Sequence, residues 1–104
     1  MKTLLETLGP EATLRFLTVA LPQFEQRSEE LLTNLRTGNW QEAARCAHRL
    51  KGTIHLYDSP ELQEQLQQLT ANDTDTYIND HFLPEIEEKL TKTKDKIRSF
   101  ISNS

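Results

Sequence analysis

Apolar residues recur at spacings of three and four along most of this 104-residue chain, and that spacing limits the possible folds more than any other feature. In an α-helix such spacing gathers side chains on one face, whereas a half-buried strand needs strict alternation. The apolar residues are mostly leucine, with sixteen Leu against one Val, and unbranched side chains favour helices over strands. The sequence therefore predicts an all-α domain.

Glycine and proline divide these apolar stripes into four longer helices and one short one. Glycine is common just after the last turn of a helix, and proline is common in the first turn. The predicted helices are Thr3 to Leu8, Pro10 to Gly38, Asn39 to Asp58, Ser59 to Leu69, and about Thr76 or Asp80 to Phe100, with a polar loop at Thr70 to Asp75. Short connections place consecutive helices side by side in opposite directions. We therefore expect residues 1–104 to form one antiparallel four-helix bundle with a short extra N-terminal helix.

Polar and helix-breaking residues add local predictions. Pro22 lies inside the first long stripe, so we expect the helix to kink there without breaking, because the stripe continues in phase. Asn39 and Glu42 have the spacing of a capping box, and Ser59 is predicted to cap the following helix. The glutamines of that following helix are expected on a solvated face.

Composition and charge exclude several classes of protein. The single cysteine, Cys46, cannot form an internal disulfide or supply a zinc site, and its place beside the core stripe predicts a half-buried side chain. No apolar run approaches the roughly 20 residues that span a bilayer, and the first residues do not resemble a secretory signal, so a cytoplasmic protein is expected. The net charge of −4 argues against a nucleic-acid partner, since such binding needs clustered Lys and Arg.

The second long helix has a face that packing does not explain. Its predicted buried stripe is Trp40, Ala43, Ala47, Leu50, Ile54 and Tyr57. On a wheel of about 100° per residue, His48 lies opposite this stripe, with Gly52 one turn further and Lys51 on the flank. Glycine inside a helix costs about 0.5–1 kcal/mol relative to alanine. We therefore infer that Gly52 leaves room for another molecule to reach His48.

The run Ala47-His48-Arg49-Leu50-Lys51-Gly52-Thr53 resembles the phosphoacceptor motif of histidine-containing phosphotransfer (HPt) domains, the four-helix carriers of two-component phosphorelays. The similarity extends beyond the motif. It includes the long helix with Pro22, the turn Gly38-Asn39-Trp40, and the later residues Leu62, Leu66 and Leu69. The resemblance covers Pro10 to Thr70 clearly and the last helix loosely.

The resemblance implies specific roles for the residues of this face. His48 would accept a phosphoryl group from a phospho-aspartate in a receiver domain and return it to the aspartate of another receiver. Lys51 would stabilise the phosphohistidine, and Gly52 would admit the receiver. The residues expected to contact the partner are Ala44, Arg45, Arg49 and His55. No cofactor is expected in this domain, because the Mg²⁺ that balances phosphoryl charge belongs to the receiver.

The partners implied by the resemblance are the receiver domains of a hybrid sensor histidine kinase and of a response regulator. The positive patch of Arg45, Arg49 and Lys51 suits the acidic mouth of a receiver, and such complementarity mainly raises the association rate. We expect a monomeric phosphocarrier without its own substrate pocket, and not an independent enzyme.

Two positions depart from the usual pattern of the family. Asp58 stands where a glycine usually ends this helix, but aspartate tolerates the left-handed backbone better than most residues, so the chain can still turn. His55 stands where a small residue is usual, and its bulk is expected to affect partner choice. His48 and His55 are not expected to share a metal, because residues seven apart lie about 10 Å apart along a helix axis.

A binding-only module is the alternative that the sequence leaves open. In that case His48 is never phosphorylated, and the face around Gly52, His55 and Arg45 simply docks a receiver or kinase domain. Loss of phosphoryl transfer in His48→Gln supports the carrier, whereas receiver binding without transfer supports the alternative. An independent enzyme is disfavoured, since no Ser/His/Asp triad or glycine-rich phosphate loop is readable.

Overall fold

The computed structural model describes residues 2–71 and 81–103, which form four α-helices and one short 3₁₀ turn. The helices are α1 (Lys2–Arg36), α2 (Trp40–Ile54), α3 (Pro60–Thr70) and α4 (Phe82–Ser102), and the 3₁₀ turn is His55–Tyr57. No strand occurs within these two ranges. The predicted all-α class is therefore confirmed, whereas the predicted loop residues 72–75 and the start of the last helix at residues 76–80 lie outside the described ranges.

Side-chain pairs between α1 and α4 show that these two helices run in opposite directions. Arg36, at the end of α1, pairs with Glu87 near the start of α4 at 3.3 Å. Glu25, eleven residues earlier, pairs with Arg98, eleven residues later, at 3.2 Å. Each step forward along α1 is thus matched by a step backward along α4.

The same relation holds between α3 and α4. The hydroxyls of Ser59 and Thr93 are 3.0 Å apart, and the Gln65 amide donates to the Glu85 carboxylate at 3.5 Å. The short turns on either side of α2 fold it back between α1 and α3, both of which it contacts. The four helices therefore form the predicted antiparallel bundle.

The core of the bundle is formed by the predicted apolar stripes. Its fully buried large side chains are Leu17, Leu31, Leu50, Ile54, Leu62, Leu66, Leu69, Ile86 and Ile97. Burying one such side chain stabilises the fold by about 1.5–3 kcal/mol. Ser28, the polar gap in the α1 stripe, is also buried, and its hydroxyl donates to the Phe24 carbonyl at 2.7 Å. That hydrogen bond explains how a serine is accommodated among leucines.

Two glycines end helical segments as predicted. Gly9 (φ 82°, ψ 166°) interrupts α1 and separates the short N-terminal part from the long one. Gly38 (φ 75°) follows the end of α1, where its N–H donates to the Leu35 carbonyl at 3.3 Å. The N–H of Asn39 donates to the Asn34 carbonyl at 2.8 Å. This pair of bonds is a Schellman motif, which needs a left-handed residue at the glycine position. Between the two glycines, α1 continues through Pro22 without a break.

The predicted capping box at the start of α2 is wrong. Asn39 occupies the N-cap position, but its side chain makes no capping hydrogen bond. The backbone N–H of Asn39 is already bonded to Asn34, so Glu42 has no donor to reach back to. The Glu42 carboxylate instead pairs with Arg45 at 2.7 Å.

Two predictions for α3 also need correction. Ser59 stands at the N-cap position, but its hydroxyl bonds to Thr93 and to the Tyr57 carbonyl and not to the first turn of α3. The glutamines are not all solvated, because Gln65 is only 7% exposed and faces α4. The side chain of Ser59 is therefore oriented by Thr93 on α4 and by the Tyr57 carbonyl, and the side chain of Gln65 by Glu85 on α4.

One end of the bundle ties three parts of the chain together. Asp58 adopts the left-handed conformation (φ 52°, ψ 50°) between the 3₁₀ turn and α3, as the sequence predicted. Thr3, from the N-terminal part of α1, donates to the Asp58 carboxylate at 2.9 Å. Lys96 of α4 donates to the carbonyls of Tyr57 and Asp58 at 2.9 and 3.2 Å. The C-terminal end of α2 is thereby held from two sides.

Candidate functional site

Helix α2 carries the residues that the sequence singled out. Its inner side packs into the core through Ala43, Ala47, Leu50 and Ile54, each at most 1% exposed. Because successive residues are about 100° apart, His48 then points away from the core, and its side chain is exposed. The outward position predicted for this histidine is therefore correct.

Gly52 lies one helical turn after His48 and is also exposed. Beyond its chain neighbours and its own helix backbone, a Cβ atom placed on Gly52 would meet no heavy atom within 4 Å. Its backbone is helical, so neither packing nor backbone conformation requires a glycine here. Gly38 differs, because its positive φ alone explains its identity. The reason for a glycine at position 52 must therefore lie outside the packing of the bundle.

Basic residues surround His48 on α2. Arg45 forms an ion pair with Glu42 at 2.7 Å, and the two side chains are 64% and 44% exposed. Arg49 is exposed and Lys51 is half-buried, and within residues 2–71 and 81–103 neither has a salt bridge. Two cationic side chains next to the imidazole are thus available to an anionic group.

A shallow depression of about 450 Å³ adjoins His48. Its lining residues are Gln41, Ala44, Arg45, His48, Arg49 and Thr70. Three of the four predicted partner-contact residues therefore share one concave surface with the histidine. Lys51, Gly52 and His55 do not line this depression, since they follow His48 towards the C-terminal end of α2, where His55 is exposed.

Two residues of this surface were not singled out by the sequence. Gln41 precedes His48 by seven residues and thus lies on the same face of α2, so the helical period could have found it. Thr70 is the last residue of α3 and meets the depression from the neighbouring helix. No signal within the sequence connects it to His48.

Cys46 is more buried than predicted. It is only 4% exposed, and the Asn34 amide donates to its sulfur at 3.7 Å. Burial raises the pKa of this thiol, which keeps it in the unreactive protonated form. Within the described ranges, no group of three or more His, Cys, Asp or Glu side chains is arranged to hold a metal ion.

Comparisons with known proteins place this arrangement in a family. In the part of the chain that the structure describes, no helix has both the length and the apolar character needed to cross a membrane. Searches among curated proteins and among solved structures gave no match. The family model for the Hpt domain matches residues 15–96, which include the whole of α2 and α3 and most of α1 and α4. The chain therefore belongs to the HPt family, the non-enzymatic phosphocarriers that interact with receiver domains in phosphorelays.

Proposed function

We propose that this chain relays a phosphoryl group between receiver-domain aspartates through His48. The observation that carries the proposal is an exposed imidazole on a helix whose next turn, at Gly52, offers open space. A receiver must bring its aspartyl phosphate to within bonding distance of the ring nitrogen. A side chain at position 52 would stand where the receiver has to approach.

Phosphoryl transfer requires little of this chain beyond a correctly positioned nucleophile. The unprotonated ring nitrogen of His48 attacks the phosphorus of the aspartyl phosphate, and the bond from phosphorus to the aspartate oxygen breaks. The aspartate leaves as a carboxylate with the electron pair of that bond. The second receiver reverses the step, with its own aspartate as the nucleophile. The Mg²⁺ that balances the phosphoryl charge is supplied by the receiver.

Lys51 and Gly52 are proposed to assist His48 in different ways. Lys51 lies three residues after His48 on the helix surface, which places it within side-chain reach of a phosphoryl group on the imidazole. Its ammonium group would offset the added negative charge. Gly52 contributes only the absence of a side chain. Neither role requires movement of the helix.

The proposed docking surface surrounds the histidine. Ala44, Arg45, Arg49 and His55 are the residues that we expect a receiver to touch. Arg49 has no internal salt bridge among the described residues, and the Arg45–Glu42 pair is exposed and weak, so both cations can turn to an acidic partner. We propose as partners the receivers of a hybrid sensor histidine kinase and of a response regulator, with residues 1–104 acting as one monomeric domain in the cytoplasm.

Transfer of labelled phosphate from a phosphorylated receiver to the purified chain tests the proposal. We expect acid-labile, alkali-stable label on the wild type and no label on His48→Gln. His81→Gln is the matched control, because it replaces an exposed histidine that lies outside the proposed docking surface. This control variant should keep the label.

Two outcomes would contradict the carrier. Label that survives in His48→Gln would place the phosphoryl group elsewhere. Receiver binding of equal strength in the wild type and in His48→Gln, with no label on either protein, would instead identify a binding-only module.

A further inference from the structure

His55 lies on the same outward side of α2 as His48. The 3₁₀ turn begins at His55 directly after Ile54, the last residue of α2, and the backbone of His55 is still helical (φ −61°, ψ −23°). Residues seven apart on a helix differ by only about 20° in direction and by about 10 Å along the axis. Both histidines are exposed. The two imidazoles therefore project from one side of the helix.

Gly52 lies between the two imidazoles. Along the axis it is about 6 Å beyond His48 and about 4.5 Å before His55. It is exposed and has no side chain, and the space where its Cβ atom would stand is open. The surface from His48 across Gly52 to His55 is thus a slot, bounded by one imidazole at each end. A partner segment that lies on Gly52 and reaches His48 has the His55 ring on its other side.

The backbone that carries His55 is held in place. Ile54, just before it, is fully buried, and Tyr57, two residues after it, is only 2% exposed. Lys96 of α4 donates to the Tyr57 carbonyl at 2.9 Å. Within the described part of the chain, no hydrogen bond or salt bridge engages the His55 side chain. His55 therefore offers a free imidazole from a fixed position.

We propose that His55 is a specificity-determining residue, which selects receivers that place a short oxygen-bearing side chain, Asp, Asn or Ser, against its imidazole. This selection rests on the proposed function, because it requires a receiver to enter the slot on its way to His48. An imidazole carries at least one N–H donor in either protonation state. Lys51, four residues before His55, adds positive charge nearby and so favours an acceptor oxygen in the partner.

A receiver with a large apolar or basic side chain at this point is disfavoured for two reasons. It collides with the ring of His55, and it leaves the imidazole N–H buried without an acceptor, which is costly in an interface. His55 is too far from His48 to touch the reacting atoms. It should therefore decide which receivers dock, and not the rate of transfer once a receiver is docked.

The test compares wild type and His55→Ala with a panel of isolated receiver domains, each phosphorylated on its aspartate. The measured quantity is the second-order rate constant of transfer for each receiver. His55→Ala should slow the best receiver about threefold, because a hydrogen bond is lost, and it should speed receivers that carry a large side chain. The preference of the wild type among receivers should thus fall about tenfold. His81→Ala replaces an exposed histidine outside the slot and should keep the preference.

Substitutions in the best receiver give an independent test. The Asp, Asn and Ser residues around its phosphorylated aspartate are replaced by Leu one at a time. At one position, Leu should slow transfer about tenfold with the wild type but less than about threefold with His55→Ala, because the two side chains are in contact. A merely structural role of His55 would slow all receivers equally.

The same panel is also measured by calorimetric binding of the unphosphorylated receivers, and circular dichroism verifies that His55→Ala is folded. The same order of receiver rates and affinities in the wild type and in His55→Ala would overturn the selective role of His55. So would the absence of any receiver position coupled to residue 55. Absence of label on the wild type would instead refute the carrier, and the order of affinities would still decide the role of His55.

Discussion

Gly52 lies four residues after His48 on α2, and a Cβ atom at position 52 would meet no heavy atom within 4 Å beyond its chain neighbours and its own helix backbone. The glycine therefore destabilises α2, and it makes no packing contact that would offset this effect. A docked partner that occupies the open space would explain this loss of helix stability, because the way the partner approaches decides the geometry of transfer.

Substitutions at Gly52 should separate stability from transfer. Gly52→Ala should raise the free energy of unfolding by about 0.5–1 kcal/mol, because alanine is the better helix former and has room. Gly52→Gln should leave the helix intact but slow phosphoryl transfer by about tenfold or more, because a small misplacement of reacting atoms is costly. Urea denaturation and single-turnover transfer kinetics measure the two effects.

Gly38→Ala is the matched control for stability. It should lower the free energy of unfolding by about 1 kcal/mol, because Gly38 has a φ of 75° and alanine is strained there. Transfer at the normal rate in Gly52→Gln would refute the steric role of Gly52.

Lys96 should stabilise the end of the bundle far more than an ordinary surface lysine. Its ammonium group donates to the Tyr57 and Asp58 carbonyls at 2.9 and 3.2 Å, in the turn that follows α2. Lys96→Met should lower the free energy of unfolding by about 1–2 kcal/mol in thermal or urea denaturation. Lys92→Met removes an exposed ion pair with Glu88 and should leave the free energy of unfolding nearly unchanged. Equal effects of the two substitutions would contradict the capping role of Lys96.

Tyr57 should make the fold sensitive to alkali. Burial raises the pKa of its phenol above the ordinary value of 10.0, since the folded protein favours the neutral form. The corresponding stabilisation is fully present below pH 10 and is lost as the pH rises through the pKa of the folded state. Tyr57→Phe keeps the ring next to Phe24 but removes this dependence.

The measurement is the free energy of unfolding in urea as a function of pH. Above about pH 10, the wild type should lose stability more steeply than Tyr57→Phe. Parallel curves for the two proteins would show that the phenol does not ionise on unfolding.

The features that could be predicted from the sequence are those that depend on the period of a single helix. His48 was placed outward because Ala47 and Leu50 had to point inward, and Gly38 was recognised because a glycine after a long stripe usually ends it. The same periodicity gave the four helices and hence the bundle.

The features that could not be predicted depend on contacts between segments. The side chain of Ser59 was expected to cap α3, but Thr93, 34 residues later, is its nearest hydroxyl partner. Gln65 is buried because α4 covers it, and Thr70 joins the surface at His48 from another helix. None of these contacts can be predicted from the local sequence, because the partners meet only when the helices have packed.

The bonds that converge on Asp58 and Tyr57 have a consequence for the kinetics of docking. Thr3 and Lys96 tie the turn after α2 to the first and last helices, so α2 cannot fray from this end without breaking contacts with both. An incoming receiver thus meets a rigid template and spends no binding energy on ordering it. Association should then proceed in a single second-order phase whose rate is set by diffusion and by salt-screened charge, with no slower conformational phase at high receiver concentration.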